Sequence, residues 1–206
     1  MLIGIDFDNT IVSYDKLFYK VALEGSYIPE DLEPTKLHVR DYLREVDKED
    51  VWTEMQGYVY GARMDEADAF SGVFEFMRWA TDSGIKLAIV SHKTKYPFLG
   101  KRYNLHNAAR KWIEANLHDE KSHFINDDHI FFELTKEEKL DRIRSLACNY
   151  FIDDLPEILL SPNFPGKVDK ILFDPMRNKE NLPNTVNVNH WDEMRCLFQQ
   201  ELLKKD

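Results

Sequence analysis

Two patterns of hydrophobic positions alternate along the chain: short continuous apolar runs, and longer stretches with an apolar residue every three or four positions. The short runs are too apolar for strands with one face in water, which is typical of a parallel sheet covered by helices on both faces. The alternation predicts β-α units and an α/β fold. The predicted strands are residues 2–7, 86–91, 130–133, 150–153 and 170–173.

Four apolar stripes at helical spacing predict the helices that cover this sheet, because residues three and four apart share one helix face. The stripes begin at Val73, Leu105, Leu140 and Trp191. Roughly 60 residues separate the first strand from the first of these helices, and loops of that length usually carry structure of their own. Further helical spacing there predicts a small helical insertion at 14–68, within a core formed by 1–13 and 69–206.

Charge and composition narrow the classes of function. Lys and Arg number 27 against 37 Asp and Glu, a net charge of −10, which argues against a nucleic acid polymer or an anionic membrane as partner. No run approaches the roughly 18 apolar residues of a membrane span, and no leader precedes the first strand. We therefore expect a soluble cytoplasmic protein. Cys148 and Cys196 are too few for a disulfide scaffold, and we expect both to be buried thiols.

Acidic residues follow two of the predicted strands. The first strand runs into Asp6-Phe7-Asp8-Asn9-Thr10, and the fourth ends in Asp153 and Asp154. In a doubly wound sheet, ligands bind outside the carboxyl ends of the strands. Neighbouring carboxylates there repel each other and are penalised by burial, and a divalent cation relieves that cost. The two pairs therefore predict a metal site at this edge of the sheet.

Two further side chains belong with these acids. Ser91 ends the second predicted strand, and a lysine lies in the helix before the fourth strand, either Lys139 or Lys136. The chain contains no Walker loop, no Gly-x-Ser-x-Gly elbow and no Gly-x-Gly-x-x-Gly sequence, which argues against a hydrolase with a catalytic triad, an NTPase or a nicotinamide enzyme.

In this order and spacing, the four elements resemble the haloacid dehalogenase-like superfamily of phosphohydrolases. The resemblance covers the core and not the insertion. It implies a Rossmannoid parallel sheet of about five strands in the order 5-4-1-2-3, with helices on both faces. It also implies that the insertion at 14–68 is a small α-helical cap over the substrate.

The resemblance implies a role for each motif residue. Asp6 would be the nucleophile and Asp8 the general acid and base, while Ser91 and the lysine would hold the phosphoryl oxygens. Mg²⁺ would be held by Asp6, by the main-chain carbonyl of Asp8, and by Asp153 or Asp154, since it prefers oxygen ligands. In the superfamily, an aspartate at the position equivalent to Asp8 distinguishes the phosphatases from the dehalogenases. The sequence departs from the family pattern in using Asp-Asp in place of Gly-Asp, and in placing His92 after the serine.

Substrate specificity is expected to come from the insertion and from the basic stretch after the second strand. Aromatic, glycine and cationic residues lie together at 56–63, and 92–103 concentrates basic side chains in an otherwise acidic protein. The alternative is that these residues only pack the insertion or solvate a loop. The candidate substrate-binding residues are Thr10, Tyr58, Arg63, His92, Lys93, Lys101 and Arg102.

The sequence thus predicts a Mg²⁺-dependent phosphatase that hydrolyses a small phosphorylated metabolite through an aspartyl-phosphate. One alternative is a phosphotransferase or mutase of the same superfamily, in which an alcohol replaces water as acceptor. The other is a binding or regulatory module that keeps the fold without turnover. The sequence names neither the substrate nor the oligomeric state.

Overall fold

The structure is a computed structural model that describes residues 1–120 and 122–204. Its strands are β1 (Leu2–Ile5), β2 (Val12–Ser13), β3 (Asp68–Ala69), β4 (Lys86–His92), β5 (Ile130–Glu133), β6 (Tyr150–Asp153), β7 (Asp169–Phe173) and β8 (Thr185–Val188). Its α-helices are α1 (Asp15–Glu24), α2 (Lys36–Glu45), α3 (Glu49–Gly61), α4 (Val73–Asp82), α5 (Leu105–Asn116), α6 (Lys136–Ser145), α7 (Pro156–Leu159) and α8 (Trp191–Leu203). Short 3₁₀ helices span Met64–Glu66 and Asp127–His129. Within the described residues, no helix is both long enough and apolar enough to cross a membrane.

Six of the strands form one parallel sheet in the order β5-β4-β1-β6-β7-β8. The predicted α/β class is confirmed, and the five predicted strands have the predicted neighbours. The order differs in detail because a sixth strand, β8, pairs with β7 at one edge. Its sequence contains only two valines, Val186 and Val188, of which only Val188 is buried, so it lacks the apolar run by which the other strands are recognised.

The chain forms two compact units, each from separated segments. We call the first the core unit; it contains Met1–Ile11, Ala69–His92 and the described residues from Leu117 onward. We call the second the insertion unit; it contains Val12–Asp68 and Lys93–Asn116. The division differs from the predicted boundaries, because the sequence analysis assigned the whole of 69–206 to the core.

Packing inside the insertion unit explains why its second segment belongs there. A Cβ on Gly57 would lie 2.6 Å from the side chain of Pro97, and one on Gly61 would lie 2.4 Å from that of Tyr103. These two glycines therefore open one face of α3 to close approach by the segment before α5. In α5, the indole of Trp112 donates a hydrogen bond to the carbonyl oxygen of Ala67 (2.9 Å). The apolar stripe of α5 predicts a helix that covers the sheet. The helix is present, but it belongs to the insertion unit and not to the core unit.

The core unit is built around strands β1 and β6, each buried except at its first residue, and the buried indole of Trp191 in α8. The Trp191 ring packs on Phe76 of α4 and Phe173 of β7, with ring centroids 5.0 and 5.5 Å away. Its Nε1 donates a hydrogen bond to the main-chain oxygen of Thr10 (3.2 Å), which ties the turn after β1 to α8. Helix α8 thus helps to position the segment that carries the first acidic pair.

The two cysteines differ in their surroundings. Cys148 is buried beside β1, and burial raises the pKa of its thiol to about 11. Cys196 is exposed on α8, so the expectation that both thiols are buried is wrong for this residue. The apolar stripe of α8 runs through Trp191, Met194 and Phe198, and Cys196 lies off that face.

We expect Gly4→Ala to destabilise the core unit. A Cβ at Gly4 would lie 2.6 Å from Cδ2 of Phe151 and 3.0 Å from Sγ of Cys148, both of them buried. Overpacking of this kind costs about 1–3 kcal/mol of unfolding free energy, which urea denaturation would measure. Gly166→Ala is the matched control, since a Cβ there meets nothing within 4 Å and should change stability by less than about 0.5 kcal/mol. Equal effects of the two substitutions would contradict this account.

Candidate active site

The parallel sheet brings the predicted acidic residues to one edge of the core unit. Ile5 of β1 is in register with Ile152 of β6, so the next residues, Asp6 and Asp153, leave their strands at the same level. The main-chain N–H of Asp6 donates to the carbonyl oxygen of Ile152 (2.9 Å), which continues the ladder one residue beyond β1. Ser91, fully buried near the end of β4, reaches the same edge on the other side of β1. The shared register therefore places motif residues that are far apart in sequence side by side.

A buried ammonium group joins two of these acids. Nζ of Lys139 donates to Oδ1 of Asp6 at 2.6 Å and to Oδ2 of Asp153 at 2.7 Å. The Lys139 side chain is 1% exposed, and the two carboxylates are buried with it. Lys136 instead lies 46% exposed and pairs with Glu157 at 2.6 Å. Of the two lysines that the sequence left open, Lys139 is the one in contact with the acidic residues.

A capping box positions Lys139 on α6. The Thr135 hydroxyl accepts a hydrogen bond from the main-chain N–H of Glu138, and the Glu138 carboxylate accepts one from the N–H of Thr135. Such reciprocal bonds satisfy main-chain groups at a helix start and define where the helix begins. Lys139 is the fourth residue of α6, and Leu140 and Ile143 anchor the helix in the core. The aliphatic stem of Lys139 is therefore carried into the interior by a well-anchored helix.

Three carboxylates converge closely enough to hold one cation. Asp6, Asp153 and Asp154 each offer an oxygen, and these oxygens lie within 4.8 Å of one another. Carboxylate oxygens are the ligands that Mg²⁺ and Ca²⁺ prefer. Both oxygens of Asp153 already accept hydrogen bonds, one from Lys139 and one from the N–H of Leu155 (2.9 Å). The donor set fits a hard divalent cation, and Asp153 is held by protein hydrogen bonds on both of its oxygens.

Asp8 lies in the turn that follows β1. The N–H of Ile11 donates to the carbonyl oxygen of Phe7 (3.1 Å), and Asn9 has a φ of +59°, which asparagine tolerates better than most residues. Asp8 is half-buried, and its charge contributes to the potential at Asp6. The turn therefore places Asp8 near Asp6 while leaving it less enclosed than the other acids.

Burial and neighbouring charges shift the pKa values of both Asp6 and Lys139. Burial raises the pKa of Asp6 to about 8; Lys139 opposes the shift, whereas Asp153, Asp154 and Asp8 add to it. Burial alone would lower the pKa of Lys139, but the adjacent Asp153 and Asp6 outweigh it and hold that pKa above its ordinary value. These shifts favour the charged form of Lys139 and the protonated form of Asp6 when no cation is bound. A divalent cation would favour the carboxylate form of Asp6.

Comparison with known proteins supports the same architecture. No family model matches the sequence. The "Putative nucleotidase OB0422" of Oceanobacillus iheyensis is 23% identical over 169 residues, 77% of this chain and 79% of that protein. A "predicted phosphatase" from Clostridium acetobutylicum superposes with a TM-score of 0.62 at 16% identity, covering 97% of this chain and 98% of that one. A HAD-superfamily hydrolase from Ehrlichia chaffeensis gives 0.57 at 13% identity, with coverages of 97% and 96%.

The chain has the haloacid dehalogenase-like fold. The resemblance stated from the motif residues is therefore confirmed for the fold. Asp6, Asp8, Ser91, Lys139, Asp153 and Asp154 all belong to the core unit, which contains the parallel sheet.

Two other predicted residues of the haloacid dehalogenase-like core lie beside this edge. Thr10 is fully buried, and within the described part of the chain its hydroxyl has no hydrogen-bond partner. Nε2 of His92 donates to the carbonyl oxygen of Leu134 (3.1 Å), which joins the end of β4 to the segment before α6. The role of both residues in substrate binding stays a prediction.

The remaining predicted substrate-binding residues belong to the insertion unit. The guanidinium of Arg63 pairs with Glu24 at 2.6 Å and with Glu66, and it lies 5.7 Å from the ring centre of Tyr58. Arg63 is therefore held in an ion-pair network that joins α1 to the end of α3. Its predicted contact with substrate, like that of Tyr58, is not tested by this geometry.

The basic residues after β4 lie against aromatic rings of the insertion unit. Nζ of the buried Lys93 lies 4.8 Å from the ring centre of Tyr60, and the Lys93 carbonyl oxygen accepts a hydrogen bond from His106 (2.7 Å). Lys101 lies 5.5 Å from the ring of Tyr103, and Arg102 lies 4.0 Å from that of Tyr96. Cation–π contacts thus organise this stretch, and its predicted anion-binding role stays a prediction.

The sequence analysis missed two residues at the same edge of the sheet. Asp174 is buried directly after β7, and Lys179 reaches the main-chain oxygen of Asp154 with its ammonium group. An acid after an apolar strand is the signal that identified Asp6, and it would have identified Asp174. Lys179 gives no comparable signal, because its contact depends on the turn between the two residues.

We expect the metal-free stability of Asp6→Asn to exceed that of the wild type increasingly as pH rises from about 5 to 8. Burial raises the folded pKa of Asp6 to about 8, above the ordinary aspartate value of 3.8, so in this range the unfolded chain loses a proton that the folded protein keeps. That difference lowers wild-type stability as pH rises, and the amide removes it. A widening of at least about 1 kcal/mol corresponds to about 2–4 °C in the melting temperature, measured in EDTA.

Asp31→Asn is the control, because Asp31 is an exposed carboxylate outside this site. Its melting temperature should follow that of the wild type across the pH range. If Asp6→Asn follows the wild type in the same way, burial does not raise the pKa of Asp6.

Proposed function

We propose that this protein is a Mg²⁺-dependent phosphatase that hydrolyses a small phosphorylated metabolite through an aspartyl-phosphate on Asp6. The observation that carries the proposal is the contact of the buried Lys139 ammonium with Asp6 and Asp153, beside the third carboxylate of Asp154. The solved structures with this fold include proteins described as hydrolases and phosphatases, which supports the reaction class.

In the first step, a carboxylate oxygen of Asp6 attacks phosphorus, a P–O bond to Asp6 forms, and the ester P–O bond breaks. Asp8, in its acid form, gives its proton to the departing alcohol oxygen. Lys139 and the Ser91 hydroxyl donate hydrogen bonds to the phosphoryl oxygens, where developing negative charge needs them. Lys139 also holds Asp6 in place, since its 2.6 Å bond fixes one oxygen of the nucleophile.

In the second step, a water molecule attacks the phosphorus of the aspartyl-phosphate. Asp8, now a carboxylate, takes a proton from that water, and the Asp6 carboxylate leaves as inorganic phosphate forms. The same residue thus acts as acid and then as base, which suits a group that is less enclosed than Asp6. Splitting hydrolysis into two displacements lowers the barrier of each.

The residues that would hold the cation are Asp6, Asp154 and the main-chain carbonyl of Asp8, with Asp153 supporting them through its bonds to Lys139 and Leu155. When bound, Mg²⁺ supplies positive charge that offsets repulsion between the acids and the phosphoryl group. The raised pKa of Asp6 supports this assignment, because burial disfavours the ionised form that acts as nucleophile, and a bound cation would favour that form.

The substrate is tested with a panel of phosphomonoesters assayed for released phosphate with Mg²⁺. Nucleoside monophosphates come first, because the Oceanobacillus iheyensis relative carries the name nucleotidase; phosphorylated sugars and small acids follow. Transfer of phosphate to an added alcohol, in place of release, would instead support the phosphotransferase alternative. Absence of Mg²⁺-dependent turnover on every ester would support the binding module.

We expect Asp6→Asn to abolish phosphate release, because an amide oxygen cannot form the covalent intermediate. Asp8→Asn should lower kcat by about 10²–10⁴-fold, since it removes the proton donor and acceptor. Calorimetry should show that Asp8→Asn still binds Mg²⁺, because its ligand is the main-chain carbonyl. Wild-type turnover by Asp6→Asn, or lost Mg²⁺ binding by Asp8→Asn, would refute the respective assignment.

Two lysines one turn apart on α6 offer a matched comparison. Lys139→Met should lower kcat by at least about 10²-fold, the scale of a lost electrostatic contact to a transition state. It should also destabilise the protein by about 3–5 kcal/mol, because it leaves buried carboxylates without their counter-charge. Lys136→Met breaks only an exposed ion pair and should change stability by less than about 1 kcal/mol and leave kcat unaltered. Steady-state kinetics and urea denaturation measure both, and similar effects would contradict the assignment of Lys139.

A further inference from the structure

We propose that Lys179, held by Asp174, is a positioning residue that fixes Asp154 for binding Mg²⁺. This inference rests on the proposed function, because it concerns the same cation. It assigns a role to two residues that lie outside the four motifs.

The contact involves a single peptide group. Nζ of Lys179 donates a hydrogen bond to the main-chain oxygen of Asp154, and a longer one of 3.4 Å to that of Phe173 at the end of β7. The N–H of the same Asp154–Leu155 peptide donates to Oδ1 of Asp153 (2.9 Å). Both polar atoms of the peptide that follows Asp154 are therefore bound to side chains.

Fixing this peptide constrains the direction of the Asp154 side chain. A peptide unit is planar, so holding its oxygen and its N–H sets the orientation of the whole unit. The chain leaves the sheet here, since β6 ends at Asp153 and α7 begins at Pro156, so no strand ladder holds the peptide. Lys179 supplies a restraint that neither element provides.

Asp174 fixes Lys179 in turn. The buried Asp174 carboxylate accepts hydrogen bonds from the main-chain N–H groups of Asn178 (3.3 Å) and Lys179 (2.9 Å). The Asp174 carbonyl oxygen accepts one from Arg177 (3.1 Å), whose φ is +55°. The segment thus folds back around one carboxylate, which directs the Lys179 side chain toward the ends of β6 and β7. An acid buried in a turn and bound to two main-chain amides has a local structural purpose.

Positioning and charge predict opposite effects on Mg²⁺ affinity. If Lys179 acted only through its positive charge, removing it would lower repulsion of the cation and tighten Mg²⁺ binding. If it acts by holding the peptide, removing it loosens Asp154 and weakens binding. Loss of partners that orient metal ligands typically lowers affinity about 10–100-fold. The sign of the change therefore separates the two roles.

The test is calorimetric titration of Mg²⁺ into the full-length wild type and Lys179→Met. We expect the Kd of Lys179→Met to rise at least about tenfold. Lys179→Arg keeps a donor at this place and should restore most of the affinity. Lys167→Met is the matched control: Lys167 is exposed before the start of β7, at the other end of that strand, and its loss removes the same charge. Its Kd should equal that of the wild type.

Kinetics add a second readout. At saturating Mg²⁺, kcat of Lys179→Met should return close to the wild-type value, because the residue acts through the metal ligand and does not touch substrate. A kcat that stays low at saturating Mg²⁺ would overturn the positioning role. Circular dichroism checks folding of each variant. If Lys179→Met does not fold, Asp174→Asn replaces it, since that amide loses an acceptor for the Lys179 N–H and should weaken Mg²⁺ binding in the same direction.

The outcomes separate this inference from the proposed function. If the wild type binds Mg²⁺ and hydrolyses a phosphomonoester but Lys179→Met binds Mg²⁺ equally or more tightly, only the inference is overturned. If the wild type does not bind Mg²⁺, the proposed function is overturned and the inference with it. Weaker binding by Lys179→Met and Asp174→Asn, restored by Lys179→Arg, supports the inference.

Discussion

The site depends on one buried ammonium group shared by two carboxylates. Without Lys139, the ends of β1 and β6 would bring Asp6 and Asp153 together with no compensation for their repulsion and desolvation. The lysine must itself be carried into the interior, which α6 achieves by a defined start and a well-packed apolar face. The electrostatics of the site therefore follow from helix capping and from strand register. A change in the capping of α6 or in the register of β1 and β6 would move the Lys139 ammonium away from the carboxylates of Asp6 and Asp153, and each group would then be buried without its counter-charge.

The aspartates near Lys139 differ in their hydrogen bonds and in their access to solvent. Asp153 has both oxygens bound to protein groups, Asp6 has one bound to Lys139, and Asp8 lies in a turn with more access to solvent. These environments are the basis on which we propose a supporting role for Asp153, nucleophilic attack by Asp6 and proton transfer by Asp8. In this proposal, environment and not residue type distinguishes the carboxylates.

The parallel sheet and the acidic residues at its edge were predictable from the sequence. Buried parallel strands appear in a sequence as apolar runs, and their carboxyl ends lie at one edge of the sheet. Strand β8 was not predictable, since only Val188 of it is buried. Helix α5 was predicted as a helix, but a stripe shows which face is buried and not what covers it. Asp174 directly follows an apolar strand, the same pattern that identifies Asp6, whereas no pattern identifies Lys179, because its contact depends on the conformation of an irregular turn. Sequence patterns predict repeating structure well and turn-dependent contacts poorly.

The interleaving of the two units also bears on how the chain acquires its structure during synthesis. The insertion unit is formed by Val12–Asp68 and Lys93–Asn116, so its last packing partner, α5, is synthesised after about half of the chain has been made. The core unit needs β6, β7 and α8, which come later still. Strand β1 therefore has one neighbour, β4, that is synthesised before α5 and another, β6, that is synthesised after it. If the insertion unit folds first, less of the chain is unfolded while the last strands and helices of the core unit are being synthesised.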